Sequence, residues 1–261
     1  MGMKRSIASV GLVSLAAVAG LAFTQAERSF KWKVHDMTRP APPVVDAGKA
    51  GSLAPVPSDA IVLFAASKPN LAAWTGGAGT AEWAVEGDEI VVVPGKGDIR
   101  TRESFGDVQL HLEWMVPAGR AVNGQQGCNS GIFFIDRYEI QILSSNGNTT
   151  YVDGMAGALY GQYPPLANAC RPQGEWNVYD IVFRAPVFEG DKLVRPATVT
   201  AFLNGVLVQD NSELLGATAH AARASYSPHE PTGPIRLQDH GDPIRFRNAW
   251  VRKLPQRVGA E

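Results

Sequence analysis

From Ile61 to Leu254 apolar residues recur at every second position in short runs, and no stretch carries the three- and four-residue spacing of an amphipathic helix. A period of two is the signature of strands with one buried and one wet face. DVQLHLEWMV (107–116) is the cleanest case, with Val108, Leu110, Leu112 and Trp114 on one face and Gln109, His111 and Glu113 on the other. IVLF (61–64), EWAVEG (82–87), EIVVV (89–93), EWNVYDIVFRA (175–185) and ATVTAFL (197–203) read the same way, as do PIRLQDHG (234–241) and PIRFRNAWVRKL (243–254). Asn204-Gly205, between ATVTAFL and VLVQD, is a hairpin signal, because both central residues of a type I′ turn need positive φ. The 27 Gly and 18 Pro fit a chain with many turns. Many short strands joined by turns predict an all-β sandwich or jelly roll.

Residues 129–143, NSGIFFIDRYEIQIL, are read as the central strand region. There Glu139 and Gln141 share one face, while Tyr138, Ile140 and Ile142 take the other. A carboxylate and an amide side by side over an apolar face suit the floor of a polar cleft; the wet face of an ordinary antiparallel sheet would show the same pattern. The Asn-, Gly- and Tyr-rich segment 144–174 that follows has no period, and a loop of that length is usually functional or mobile.

The 261 residues, 45% of them hydrophobic, suffice for one full core. With 24 basic against 25 acidic residues, no cationic field points to nucleic acid. At the amino terminus MGMKR precedes an uncharged apolar run, Ile7–Phe23, and then Thr24-Gln25-Ala26. That order predicts an export signal over 1–26, with an uncleaved membrane anchor as the alternative, and hence a periplasmic or secreted protein. Residues 27–59, rich in Pro and Ala, read as a linker or extended arm, 60–255 as the folded domain and 256–261 as a tail. In an oxidising compartment Cys128 and Cys170 could close one disulfide; two unpaired thiols are the other reading.

Polar side chains fall in phase on three segments: Glu139 and Gln141; Arg236, Gln238 and His240; Arg245 and Arg247. If the three rows face one side of one sheet, they form a cleft with a carboxylate, guanidinium groups and an imidazole. Arginines in such a cleft fix a carboxylate or bind a hydroxyl-rich ligand. An imidazole suits proton transfer near neutral pH, which makes His240 a candidate, though a turn role beside Asp239 and Gly241 fits it equally. His111 reads as structural or solvent-facing. No phosphate loop, zinc-site spacing or His-Glu-x-x-His is present, so the sequence requires no cofactor; it admits a divalent ion without calling for one.

GDVQLHLEW (106–114), NSGIFF (129–134), YEIQIL (138–143), GEWNVYDI (174–181) and GPIRLQDHGDPIRFRNAWVRKL (233–254), in that order, resemble the 3-keto-disaccharide hydrolase domain family. The resemblance spans about residues 60–255. It implies a concanavalin A-like jelly-roll sandwich of two antiparallel sheets with a sugar-binding face, related to family 16 glycoside hydrolases. It also implies a carbohydrate partner, an oxidised disaccharide or glycoside.

A retaining glycosidase needs two carboxylates flanking the bond. YEIQIL offers only Glu139, and Ser144 stands where many relatives carry Asp. A ketone at C3 removes that need, because it acidifies the C2 proton and opens a route by elimination and hydration. The expectation is Glu139 or His240 as general base. Arg102, Arg245 or Arg247, or a bound divalent ion, would stabilise the enediolate. Asn129, Gln141, Gln238 and Tyr160 would hold the sugar. A carbohydrate-binding module using the same face without turnover is the rival, and a purely structural envelope protein a more distant one.

Overall fold

The computed structural model describes residues 30–49 and 54–255. The chain divides into two compact units, Met1–Lys31 and Trp32–Glu261, and the fold described here is that of the second. The expected export signal lies outside the described residues.

Two antiparallel sheets form a sandwich. The larger contains β1 (Ile61–Phe64), β3 (Ala84–Glu86), β4 (Glu89–Val91), β6 (Val108–Met115), β9 (Trp176–Arg184), β12 (Thr198–Leu203), β13 (Val206–Glu213) and β15 (Arg245–Lys253). Its order is β13-β12-β9-β6-β15-β4-β3, with β1 also pairing β15. The smaller contains β2 (Trp74–Thr75), β5 (Ile99–Thr101), β7 (Asn129–Phe134), β8 (Tyr138–Leu143) and β14 (Arg236–Leu237), ordered β2-β5-β14-β7-β8. A separate hairpin pairs β10 (Val187–Glu189) with β11 (Lys192–Arg195).

Alternation decides what meets between the sheets. Val108, Leu110, Leu112 and Trp114 from β6, with Tyr179, Ile181 and Phe183 from β9, face Ile132 and Phe134 from β7 and Tyr138, Ile140 and Ile142 from β8, all buried. Phe134 stacks on Phe183 across the gap, with ring centroids 4.6 Å apart. Tyr179 spans the core and donates its hydroxyl to the Gln141 carbonyl at 2.7 Å, so a buried phenol gains its partner on the opposite sheet. The Asn204-Gly205 hairpin forms as expected, with φ of 55° and 80°.

Residues 129–143 are two strands and not one. Ile135 and Asp136 both have positive φ, 53° and 55°, and Arg137 N–H donates to the Phe134 carbonyl at 3.0 Å. The chain therefore reverses, and β7 pairs β8 in the register Phe133↔Glu139 and Gly131↔Gln141. No Gly or Asn announces this turn; Asp136 tolerates positive φ, but Ile135 does not favour it, and tertiary packing imposes it there.

Segment 144–174 is ordered by pairing along the open edge of β8. Gln141 N–H donates to the Ala158 carbonyl at 3.0 Å, Gly157 N–H returns to the Gln141 carbonyl at 3.1 Å, and Ile140 bridges to Leu159. Covering the edge strand satisfies backbone groups that would otherwise face solvent. The arm from Trp32 to Lys49 also lies against the domain, exchanging Val45 N–H to Asn168 O at 3.0 Å and Asn168 N–H to Pro43 O at 2.9 Å. Cys128 and Cys170 are both free and buried, so no disulfide joins them. Burial raises both thiols, that of Cys170 to about 11.

Candidate active site

The outer face of the smaller sheet carries a cavity of about 350 Å³. Strand pairing puts one side chain from each strand into a row across that face: Thr75↔Arg100, Arg100↔Arg236, Arg236↔Phe133, Phe133↔Glu139. Directly paired residues project to the same side of an antiparallel sheet, so these positions are neighbours by construction. The next row holds Gly131 opposite Gln141, with Gln238 N–H bonded to the Gly131 carbonyl at 3.1 Å.

Glu139 is only 5% exposed. Its backbone N–H donates to Thr218 Oγ1 at 3.0 Å. Burial pushes its carboxyl up to about 8; the Arg236 charge opposes the shift and Asp98 adds to it. A carboxyl titrating there can both take and give a proton near neutrality. Gly131 makes room for it, since a Cβ at that position would collide with Glu139 Oε1 and would stand 2.9 Å from the Phe133 ring.

Gln141 sits beside Glu139, and its amide nitrogen, turned toward the carboxyl, donates to Glu139 Oε1 at 3.1 Å and to Ser130 O at 2.9 Å.

Arg236 is held on three sides. Nε bonds Asp136 Oδ1, Nη1 bonds Asp98 Oδ2 at 2.6 Å, and the guanidinium lies 3.5 Å above the Phe133 ring. Asp136 also receives Arg100 Nε at 3.0 Å. Both aspartates are thereby committed to arginines, and Glu139 is the one carboxylate lining the cavity among the described residues.

Of the expected site residues, Glu139, Gln141, Asn129, Tyr160, Gln238 and His240 line this cavity together. His240 sits exposed at the rim on a turn shaped by Asp239, whose Oδ1 accepts Gly241 N–H at 2.9 Å and whose own N–H donates to Asp98 Oδ1 at 2.9 Å. Three arginines do not join them. Arg245 and Arg247 belong to β15 of the larger sheet. There Arg245 pairs with Glu89 at 2.5 Å and Glu86 at 2.8 Å, and Arg247 with Glu113 at 2.8 Å while lying 3.9 Å above the Trp176 ring. Arg102 falls one residue past β5, where it is exposed and donates to the Gly79 carbonyl at 3.3 Å. The cavity's arginine is Arg236, whose phase with Gln238 was visible in the sequence. Thr218 and His220 also line it. They come from the segment between β13 and β14, where no periodicity could have flagged them.

His111 is buried on the outer face of the larger sheet, bonded to Asp180 Oδ1 at 2.7 Å and stacked on Trp250. It takes no part in the cavity. Among the described residues no group of three His, Cys, Asp or Glu is placed to hold a metal ion.

Residues 59–252 match the family described as the 3-keto-alpha-glucoside-1,2-lyase-like domain. A crystal structure of a candidate glycosyl hydrolase from Parabacteroides distasonis ATCC 8503 is 43% identical, covers 82% of this chain and 93% of its own, and superposes with a TM-score of 0.74. A second such protein from the same organism, 22% identical over 76% of this chain and 94% of its own, shares the fold with a TM-score of 0.56. No curated protein matches the chain significantly.

Proposed function

The chain belongs to the 3-keto-alpha-glucoside-1,2-lyase-like domain family, and on that premise we propose that it cleaves 3-keto-glycosides by elimination across C1 and C2. The observation that carries this reading is the lone cavity carboxyl, Glu139, buried, raised to about 8 and set in one cross-strand row with Arg236. Direct displacement at C1 needs two carboxylates; proton abstraction beside a ketone needs one.

In the proposed sequence Glu139, as carboxylate, takes the C2 proton. The C2–H electrons form an enolate whose negative charge on the C3 oxygen is balanced by Arg236, already fixed by Asp98, Asp136 and Phe133. Preorganised donors of this kind stabilise developing charge without reorganising during the reaction. The enolate then collapses, the C1–O bond breaks, a C1=C2 double bond forms and the ketone returns. Glu139, now protonated, gives that proton to the leaving oxygen and is a carboxylate again; water then adds its hydroxyl to C1 and a solvent-derived proton to C2, which completes net hydrolysis. Asn129, Gln141 and Gln238 supply amides, and Tyr160 and His220 a phenol and an imidazole, for the sugar hydroxyls. His240 at the rim is the second proton-transfer group. Export rests on the apolar run at Ile7–Phe23, and amino-terminal sequencing of the mature protein tests it.

The direct test is release of sugar from 3-keto-trehalose or 3-keto-lactose by the wild type and by Glu139→Gln. Loss of the base is expected to lower turnover by about 10²–10⁴. Near-wild-type turnover in the variant would remove Glu139 from the mechanism. Sugar binding by the wild type without any product would make the domain a binding module.

A further inference from the structure

The arm ahead of the family-matched residues reaches the cavity wall. His35 stacks on Tyr151 with centroids 3.8 Å apart and planes inclined by 15°, and presents its ring to Tyr160 at 5.2 Å and to His220 at 5.6 Å. Tyr151 and Tyr160 share a hydroxyl–hydroxyl bond of 2.8 Å, and Tyr160 continues to His220 Nδ1 at 3.3 Å. Tyr160 and His220 line the cavity.

Two anchors seat the arm on the loops that carry this chain. His35 N–H donates to Asp153 Oδ2 at 3.0 Å, and Asp153 is buried in the turn that follows Tyr151. Arg223, three residues past His220, donates to the Trp32 carbonyl. Opposite the arm stands Gly161, with φ of 70°, where a Cβ would already touch Val34 at 3.4 Å. His35 itself has φ of 59°, a conformation that His and Asn tolerate better than most residues.

We propose that the arm, through His35, positions the Tyr160–His220 wall and thereby sets how tightly the cleft holds its sugar. His35 is a positioning residue: it does not line the cavity but fixes Tyr151, which fixes Tyr160, which fixes His220. The inference rests on the sugar-cleaving reading of the cleft. The two loops come from distant parts of the chain, and the arm touches both, so it couples their positions.

The test measures kcat, KM and thermal midpoint on 3-keto-trehalose for the full chain and three variants. His35→Asn keeps the backbone conformation and removes the stack; KM should rise about three- to tenfold, the range an aromatic pair commands. kcat should stay within about twofold, as expected when binding alone is lost. His35→Phe restores a stacking ring, though Phe tolerates the positive φ less well, and should bring KM at least part of the way back. Tyr151→Phe keeps the stack and breaks the hydroxyl link, and should raise KM without depending on how the arm folds. An unchanged KM in both His35→Asn and Tyr151→Phe overturns the proposal, as does failure of Phe to rescue a folded protein. Absence of turnover in the wild type would instead overturn the parent reading, and this one with it.

Discussion

Glu139 and Gly131 show how one register fixes a chemical group. The carboxyl is raised because strand pairing buries it, and burial is tolerable because Gly131 across the hairpin has no side chain. Gly131→Ala should displace the carboxyl or the Phe133 ring and cost about 10²-fold in kcat/KM, since small misplacements of reacting groups carry such penalties. Wild-type activity in that variant, checked by steady-state kinetics, would contradict the packing. The raised titration also has a sign. A base must be ionised, so kcat/KM should climb about tenfold per pH unit below about 8 and level off above it. A plateau beginning near pH 5 would mean that another group takes the proton. At this scale the sequence was informative where a period existed. Glu139, Gln141 and Gln238 were legible from phase alone, whereas Thr218 and His220 sit in a segment with no phase to read.

The strand is the scale at which reading by alternation is most secure and also where it misleads. Period two placed Val108, Leu110, Leu112 and Trp114 in the core correctly. It could not say which sheet a strand joins, and so the third polar row, Arg245 and Arg247, was grouped with a cleft on the opposite side of the sandwich. Nor could it reveal the β7–β8 reversal, because Ile135 and Asp136 adopt positive φ under tertiary constraint. The outer face of β6 is equally instructive. His111 reads as structural or solvent-facing, and the first holds: it is 2% exposed between Asp180 and Glu113. Burial alone would lower its pKa, but hydrogen bonds to Asp180 and Glu113 outweigh it and raise the imidazole to about 9. A folded-state pKa above the unfolded one stabilises fully below the unfolded value of 6.5, and that stability is lost as pH rises through about 9. The term is on the order of 1–3 kcal/mol, allowing for the half-exposed Asp180. Thermal midpoints of His111→Gln should therefore vary less between pH 6.5 and 9.5 than those of the wild type; parallel curves would contradict the ion pairing.

For the whole molecule, the sandwich explains why residues from three regions of the chain meet. β14 inserts between β5 and β7, which carries Arg236 next to Phe133 and Glu139 although about a hundred residues separate them. The loops that wall the cavity are pinned at the β8 edge and by the arm, so the site is assembled by the sheet and enclosed by its surroundings. The all-β class was legible in the period of two and the family in motif order; the pairing that builds the site belongs to topology, which no local pattern encodes. The central claim is that cleavage begins with proton removal at C2, and isotope incorporation reads that step directly. Wild-type enzyme would be run on 3-keto-trehalose in D2O, with free 3-keto-glucose incubated in parallel to correct for spontaneous exchange. The account predicts one deuterium at C2 of the released 3-keto-glucose for each bond cleaved. Product that keeps its original hydrogen at C2 would show direct displacement at C1 and contradict it.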